Sequence, residues 1–191
     1  MKKLFIPIIL GTARQGRQSE QVAKWINKKV SEHPEIETKL FDPREMNYDF
    51  QDEGQKLKEK NPDYRDAIIR ADGLIIVAPE YNHGYPGSLK MVLDTMLSEY
   101  IHKPVSFVGV SFGPWGGIRV IEALVNTVRE LGLVATFSDL NFPGVATVFD
   151  ENGEPKEQES WDKRFDSFIT ELIWMAKTLR WGRENVKSKF H

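Results

Sequence analysis

Short apolar runs alternate with helix-period segments along most of this chain. The runs that predict buried strands cover residues 3–10, 36–41, 73–78, 105–111 and 133–138. Between and after them, apolar residues recur every three or four positions in residues 19–31, 64–70, 88–98, 118–131 and 161–181. This alternation predicts one parallel sheet with helices on both faces.

The chain's size and composition fit one globular domain, which we predict to span residues 1–191. Hydrophobic residues make up 40% and charged residues 28% of the sequence. The net charge of -2 gives no basic field for nucleic acid or an anionic membrane surface. No apolar stretch reaches the roughly 18 residues of a membrane-spanning helix, and the first apolar run is too short for a secretion signal. We expect a cytoplasmic protein without nucleic-acid or membrane partners.

The absence of cysteine narrows the chemistry further. It removes disulfides, thiolate metal sites and cysteine nucleophiles, and it is compatible with a reducing compartment. His33 and His102 are isolated and are predicted to be surface residues. Four scattered histidines without carboxylates at ligand spacing predict no metal site.

Four local features of the sequence carry predictions of their own. Pro7 lies inside the first predicted strand, where it removes a hydrogen-bond donor, so a bulge or a skipped bond is expected. Ser19 is predicted to be the N-cap of the first helix, and Gly132 to terminate the helix over residues 118–131. Residues 44–62 are polar and irregular and predict a surface excursion with some helix.

Three loops follow predicted strands and open helices, and we call them loop 1 (residues 11–19), loop 2 (residues 79–87) and loop 3 (residues 111–117). In parallel α/β sheets, ligands bind beyond the carboxyl ends of the strands. All three loops are therefore predicted to border one ligand site.

Loop 1 has the composition of a phosphate site. Its backbone N–H groups and the following helix N-terminus attract an anion, Thr12 and Ser19 can add hydroxyl donors, and Arg14 or Arg17 can add a charge-assisted fork. Arg17-Gln18 stands where a P-loop requires Lys-[Ser/Thr], and Ala13 breaks the G-x-G-x-x-G dinucleotide pattern. A surface loop with incidental arginines is the alternative.

Loops 2 and 3 can each be interpreted in two ways. Two prolines and two glycines make loop 2 stiff enough to edge a planar ligand, but a simple turn capped by Ser88 fits as well. The glycines of loop 3 allow a ligand to approach bare N–H groups, and packing with turn geometry is the alternative.

The motifs in these loops resemble those of the NADPH-dependent FMN reductase family, whose flavodoxin-like flavoproteins include quinone, azo-dye and chromate reductases. The matching strings are Gly11-Thr12-Ala13-Arg14 followed by Ser19, Pro-Glu-Tyr-Asn at 79–82, Pro-Gly-Ser-Leu-Lys at 86–90 and the glycine-bearing loop 3. The resemblance implies a three-layer sandwich around a five-stranded parallel sheet of order 2-1-3-4-5. The closing helix is expected over about residues 158–181.

The resemblance also implies a cofactor site for FMN. Thr12, Arg14 and Ser19 would contact its phosphate, with the amides of Gln18, Glu20 and Gln21. Loop 2 would edge the flavin ring, mostly through backbone, with Pro79, Glu80, Tyr81, Asn82 and His83. The pyrimidine end of the ring would lie near Ser111, Gly113, Gly116 and Gly117.

The implied reaction is a ping-pong cycle in which NADPH or NADH gives hydride to FMN N5. A small acceptor, such as a quinone, a free flavin or an azo compound, then takes the hydride. No protein group is predicted to be catalytic, because the chemistry is carried by the flavin. Similar proteins are homodimers or homotetramers, and the helix after loop 2, with Met91 and Tyr100, is the candidate contact.

Single residues in the loops have plainer alternatives. Glu80 is better explained as a structural carboxylate that caps loop amides than as a catalytic group. His83 is equally well a solvent-facing loop residue, and Tyr81, Tyr85 and Trp115 could stack on a substrate or pack in the fold.

Two further functions stay open beside the oxidoreductase. One is a flavodoxin-like electron carrier without its own NAD(P)H turnover, which Arg14 and the mild net charge disfavour. The other is a redox-sensing flavoprotein, which nothing in the sequence excludes.

Overall fold

The computed structural model describes residues 2–190, and within them the chain forms eight short strands and six α-helices. The strands are β1 (Leu4–Phe5), β2 (Ile8–Leu10), β3 (Ile36–Glu37), β4 (Leu40–Phe41), β5 (Leu74–Pro79), β6 (Pro104–Val110), β7 (Val134–Ala135) and β8 (Leu140–Phe142). The helices are α1 (Ser19–Glu32), α2 (Gly54–Lys60), α3 (Pro62–Arg70), α4 (Gly87–Leu93), α5 (Ile118–Glu130) and α6 (Gln158–Asn185).

All the pairings between these strands are parallel. The main sheet has the order β4-β2-β5-β6-β7, with β8 also pairing with β6, while β1 pairs with β3. Because β1 and β2, β3 and β4, and β7 and β8 each share one position in the sheet, the positions follow the predicted order 2-1-3-4-5. The flavodoxin-like α/β fold is confirmed, although its strands are broken into more pieces than the five expected.

Pro7 explains the break between β1 and β2. The N–H groups of Ile6 and Ile8, on either side of it, both donate toward the β3–β4 segment, at 2.9 Å to the carbonyls of Glu37 and Lys39. Since successive residues of a strand face opposite neighbours, the nitrogen of Pro7 faces β5, where its carbonyl accepts from Ile75 N–H at 3.1 Å. Strand β5 begins only at Leu74, so the missing N–H of Pro7 costs few hydrogen bonds to this strand.

Two hydrophobic layers cover the sheet. Apolar residues of α1 and α6 fill one side, where Trp25 packs edge-on against Phe142 and Phe165, and Phe142 stacks on Trp161 with 4.2 Å between ring centroids. Residues of α3, α4 and α5 fill the other side. Burial of both faces accounts for the uninterrupted apolar runs of β5 and β6.

Several predicted boundaries need correction. The α1 N-cap is Gln18, and Ser19 is the first helical residue. Helix α4 ends at Leu93 rather than at the predicted residue 98. Just beyond its end, the Thr95 hydroxyl donates to Met91 O at 3.0 Å and competes with backbone N–H groups for this carbonyl. The last helix runs to Asn185, one turn beyond the prediction.

Some of the remaining segments agree with the predictions and others do not. Gly132 has φ +78° after α5, as predicted for a helix terminator. Strand β8 was missed, because residues 140–142 pair with β6 only after the chain has left β7. The surface excursion over residues 44–62 contains α2, and a 3-10 turn at Pro43–Glu45 precedes it.

Candidate active site

Loops 1, 2 and 3 lie at the carboxyl ends of β2, β5 and β6 and enclose a cavity of about 640 Å³. This volume is in the range of small-molecule and cofactor sites. The cavity is lined by Arg14, Gln15, Gly16, Arg17, Gln18, Ser19, Pro79, Glu80, Tyr81, Asn82, Val110, Ser111, Phe112, Gly113, Trp115, Arg119 and Val145.

Ser19 gives loop 1 its clearest mark of an anion site. Its side chain is buried at the first residue of α1, and among residues 2–190 its Oγ has no hydrogen-bond partner. A buried hydroxyl without a partner is costly and rare in folded proteins. Here it lies in the cavity wall beside the free N–H groups and the positive dipole end of α1.

Thr12 and Arg14 connect loop 1 to loop 2. The Thr12 hydroxyl is buried behind the cavity wall, 3.3 Å from the Tyr81 hydroxyl, and it also accepts the Arg14 N–H at 3.3 Å. The Arg14 guanidinium lies 5.4 Å from the centroid of the Tyr81 ring. Arg14 is exposed and lines the cavity, so its charge is available to a ligand.

The Arg17 guanidinium is held in ion pairs and is not free to bind a phosphate. Its side chain is only 1% exposed and forms ion pairs with Asp42 and with Glu20, the latter at 3.2 Å. Burial opposes the charge of Asp42, but hydrogen bonds from Arg17 and from the Arg44 N–H lower the pKa of this carboxyl below its usual value. Of the two arginines offered for the phosphate, Arg17 is therefore part of the scaffold.

Loop 2 is a tight hairpin. Tyr81 and Gly84 exchange two backbone hydrogen bonds of 3.0 and 3.1 Å, and the two residues between them have positive φ, +51° for Asn82 and +67° for His83. This is the geometry of a two-residue type I′ turn. It directs Asn82 to the cavity wall and leaves His83 exposed, outside the wall.

Glu80 joins loop 2 to the start of α5. Its carboxylate accepts the Arg119 backbone N–H and the Arg119 guanidinium, both at 3.2 Å. These contacts agree with the interpretation of Glu80 as a structural carboxylate. Tyr85 is also committed to the fold, since its hydroxyl lies 2.8 Å from the Thr127 hydroxyl on α5.

Loop 3 divides into a part that lines the cavity and a part that packs. Ser111, Gly113 and two exposed aromatic residues, Phe112 and Trp115, form the wall. Their side chains are 73% and 58% exposed, which leaves two flat apolar surfaces at the mouth of the cavity.

The paired glycines of loop 3, Gly116 and Gly117, are not among the residues that line the cavity, and their contact with a ligand stays a prediction. A Cβ on Gly117 would come within 2.6 Å of Val110 N, and one on Gly116 within 2.8 Å of Asn141 Cβ. Both residues have positive φ. Packing and turn geometry thus account for Gly116 and Gly117.

Most of the predicted site residues come together. Those that line the cavity are Arg14, Gln18, Ser19, Pro79, Glu80, Tyr81, Asn82, Ser111 and Gly113. Glu20 and Gln21 do not line it, and the Gln21 N–H, expected at the phosphate, donates to Gln18 O at 3.1 Å.

Sequence reasoning missed several wall residues, among them Gln15, Gly16, Phe112 and Arg119. Arg119 carried a usable signal, since a basic residue in the first turn of a helix after a glycine pair lies at the carboxyl end of its strand. The expected dimer contact at Tyr100 is wrong, because Tyr100 is fully buried with its hydroxyl 2.7 Å from that of Tyr64.

Residues 2–190 contain no group of three or more His, Cys, Asp or Glu side chains arranged to hold a metal ion. No helix in this described part of the chain is long and apolar enough to cross a membrane.

Comparison with known proteins identifies the family. The family model described as NADPH-dependent FMN reductase matches residues 5–146. An NADPH azoreductase of Bacillus sp. strain OY1-2 is 32% identical over 120 residues, which cover 61% of this chain and 64% of that protein. An NAD(P)H-dependent FMN reductase, ntnL, of Nectria sp. is 30% identical over 159 residues, covering 75% of this chain and 78% of the relative.

A solved structure shares the fold. The flavoenzyme NAD(P)H:(acceptor) oxidoreductase FerB of Paracoccus denitrificans superposes with a TM-score of 0.75 at 20% identity, covering 91% of this chain and 98% of FerB. The chain belongs to the NADPH-dependent FMN reductase family. It is thus an oxidoreductase of a family that uses FMN and NAD(P)H.

Proposed function

We propose that this protein is an FMN-dependent NAD(P)H oxidoreductase that passes hydride to a small acceptor. The observation that carries the proposal is the buried Ser19 hydroxyl, without a partner in residues 2–190, at the N-terminus of α1 in the wall of a cavity bordered by the three family motifs. A phosphate at this point would satisfy Ser19 and the free N–H groups together. Family membership supports the same cofactor.

The residues of the cavity divide into two binding roles. Arg14, Gln18 and Ser19 would hold the FMN phosphate, with Thr12 fixing the turn behind them. Loop 2, through Pro79 to Asn82, would border the flavin ring, and Ser111 and Gly113 would border its other edge. Neutral hydroxyl and backbone groups in these places suit a ring that gains negative charge on reduction.

The chain's own part in the reaction is binding and orientation. Bound FMN would supply the group that takes hydride from NAD(P)H and gives it to an oxidant. Phe112 and Trp115 offer exposed rings on which a nicotinamide or a planar acceptor would stack. One such position would serve both substrates in turn, which is the basis for proposing a ping-pong cycle.

The acceptor, assembly and location belong to the same proposal. A quinone, a free flavin or an azo compound matches an open cavity with aromatic walls, and the azoreductase relative supports the last of these. We also propose a homodimer or homotetramer in the cytoplasm, a location that suits a chain without cysteine.

The decisive experiment is anaerobic flavin titration. The purified protein should take up FMN, and its visible flavin absorbance should bleach when NADPH or NADH is added and return with a quinone. Uptake without bleaching would favour an electron carrier or a redox sensor, and no uptake would refute the proposal. Initial rates with both substrates varied should give parallel double-reciprocal lines.

Arg14→Ala tests the phosphate assignment. Loss of a charge-assisted contact should weaken FMN binding by about 2 kcal/mol, and less if solvent screens the exposed guanidinium. Arg129→Ala, an exposed arginine in the last turn of α5, is the matched control and should leave FMN affinity unchanged.

A further inference from the structure

Two guanidinium groups hold the backbone carbonyls of loop 1. Arg17 Nη1 donates to the carbonyl of Thr12, Arg44 Nε donates to that of Ala13 at 2.9 Å, and Arg44 Nη2 donates to that of Arg14. Three consecutive carbonyls are thus fixed by side chains. We call Arg17, Asp42 and Arg44 the arginine bracket.

Carboxylates fix the bracket in turn. Asp42 accepts both Nη atoms of Arg17, with 2.8 Å between Nη1 and Oδ1, and its Oδ1 also accepts the Arg44 N–H at 2.9 Å. Glu20 on α1 accepts Arg17 Nε at 3.2 Å. A two-pronged pair with a nearly inaccessible arginine is the rigid form of an ion pair. The bracket therefore ties loop 1 to the end of β4.

Fixing carbonyls also fixes the amides that follow them. In a trans peptide unit, the C=O of one residue and the N–H of the next point in opposite directions. Holding the carbonyls of Ala13 and Arg14 on the bracket side therefore directs the Arg14 N–H to the Thr12 hydroxyl, to which it donates at 3.3 Å, and turns the Gln15 N–H away from the bracket. Arg14 and Gln15 both line the cavity.

We infer that Arg17 and Arg44 are positioning residues that pre-shape loop 1 for a phosphate without touching it. The inference rests on the proposed function, in which this phosphate belongs to FMN. It gives a role to Arg17, whose guanidinium is buried in ion pairs with Asp42 and Glu20, and to the start of the excursion over residues 44–62. Without the bracket, the peptide planes of loop 1 can turn and part of the binding energy goes into ordering them.

The test compares two flavins that differ only in the phosphate. Dissociation constants of FMN and riboflavin are measured by quenching of flavin fluorescence for the wild type and for Arg44→Ala. The variant should lose about tenfold in FMN affinity and keep its riboflavin affinity. An equal change for both flavins, or no change for FMN, would overturn the inference.

Arg44→Lys separates positioning from simple attraction of charge. Lysine keeps the positive charge but cannot donate to two carbonyls in the fixed geometry of a guanidinium. The variant should therefore bind FMN more weakly than the wild type, whereas wild-type affinity would show that charge alone acts and would contradict positioning. Arg65→Ala, which removes a partly exposed arginine paired with Asp66 on α3, is the control.

Asp42→Asn is the second variant, since it loosens both arginines without removing either. It should lower the ratio of FMN to riboflavin affinity in the same direction as Arg44→Ala. An unchanged ratio in the folded protein would count against the bracket.

A readout without flavin keeps this inference separate from the proposed function. Inorganic phosphate should raise the melting temperature of the wild type and have a smaller effect on Arg44→Ala. If the wild type bound neither flavin but kept this difference, the proposed function would fail and the bracket would stand. Equal phosphate effects on both proteins, or none on the wild type, would overturn the bracket.

Discussion

Arg119 presents both its backbone N–H and its guanidinium to the two carboxylate oxygens of Glu80, at 3.2 Å each. The Glu80 side chain is 11% exposed, and it places a negative charge at the N-terminus of α5, where the helix dipole favours it. The pair therefore fastens loop 2 to the element that follows loop 3. Two of the three walls of the cavity depend on one carboxylate.

Glu80→Ala should loosen both walls at once. We expect the free energy of unfolding to fall by about 1–2 kcal/mol, because the Arg119 N–H and its partly exposed guanidinium lose their largely buried acceptor. For a chain of this size that corresponds to a melting temperature lower by roughly 2–8 °C. Thermal unfolding followed by circular dichroism measures the change.

A double-mutant cycle shows whether Arg119 is the partner that matters. Arg119→Ala removes the guanidinium but keeps the backbone N–H, so it should cost less than Glu80→Ala. The double variant should be less destabilised than the sum of the two single changes. Strict additivity would mean that the contact contributes nothing to stability.

Ser19→Ala is predicted to have opposite effects on stability and on binding. Without ligand, the change removes a buried hydroxyl that has no partner in residues 2–190, so the free protein should be unchanged or slightly more stable. With FMN, it removes a donor to phosphate, so the dissociation constant should rise about tenfold. Melting curves with and without FMN give both quantities.

The control for Ser19 is on the same helix. Ser31 lies in the last turn of α1, where its hydroxyl donates to Lys28 O at 2.7 Å. Ser31→Ala should leave FMN binding as in the wild type. A destabilised Ser19→Ala protein with full FMN affinity would show that the hydroxyl has a structural role instead.

The general position of the site could be predicted because it follows from topology. Alternating strands and helices dictate a parallel sheet, and parallel strands bring loops 1, 2 and 3 to one edge. Arg14, Tyr81 and Gly113 are in the cavity wall for this reason alone.

The choice between similar residues could not be predicted from local sequence. Arg14 and Arg17 are three positions apart in one loop, and only the pairing of β2 with β4 brings Asp42 close enough to claim Arg17. Likewise, glycine is needed at position 116 because Asn141 on β8 packs against it. The sequence of loop 3 does not predict this contact. In both cases, contacts with residues far away in the sequence determine the role of the residue.

Removing one hydroxyl of the buried pair Tyr64 and Tyr100 should cost more stability than removing both. The hydroxyls of Tyr64 and Tyr100 lie 2.7 Å apart, and both side chains are almost fully inaccessible. Burial, the main cause, raises the pKa of both phenols well above 10 and keeps them neutral. Tyr64→Phe leaves one hydroxyl without its partner and should cost about 1–3 kcal/mol in urea unfolding.

The double change Tyr64→Phe with Tyr100→Phe should recover part of that loss, since neither hydroxyl is then left alone. A double variant less stable than either single variant would contradict this account. Tyr85→Phe offers a comparison at a half-buried hydroxyl, which water can satisfy, and its effect should be smaller.

Lys103 should make stability depend on alkaline pH. Its ammonium group is buried against the carbonyls at the end of α3, and burial, assisted by the nearby charge of Arg183, lowers its pKa to about 8. Between pH 8 and about 10.5, the unfolded chain keeps the proton and the folded protein releases it. The unfolded state then binds more protons, so this group adds stability as pH rises, by up to about 3 kcal/mol.

Lys103→Met should abolish this contribution, although it also removes the hydrogen bonds to α3. The free energy of unfolding is measured by urea titration at several values between pH 7 and 10, for the variant and for the wild type. The wild-type curve should rise relative to the variant above pH 8. Lys187→Met, at an exposed lysine, should follow the wild type, and parallel curves for Lys103→Met would show that Lys103 keeps its proton in the fold.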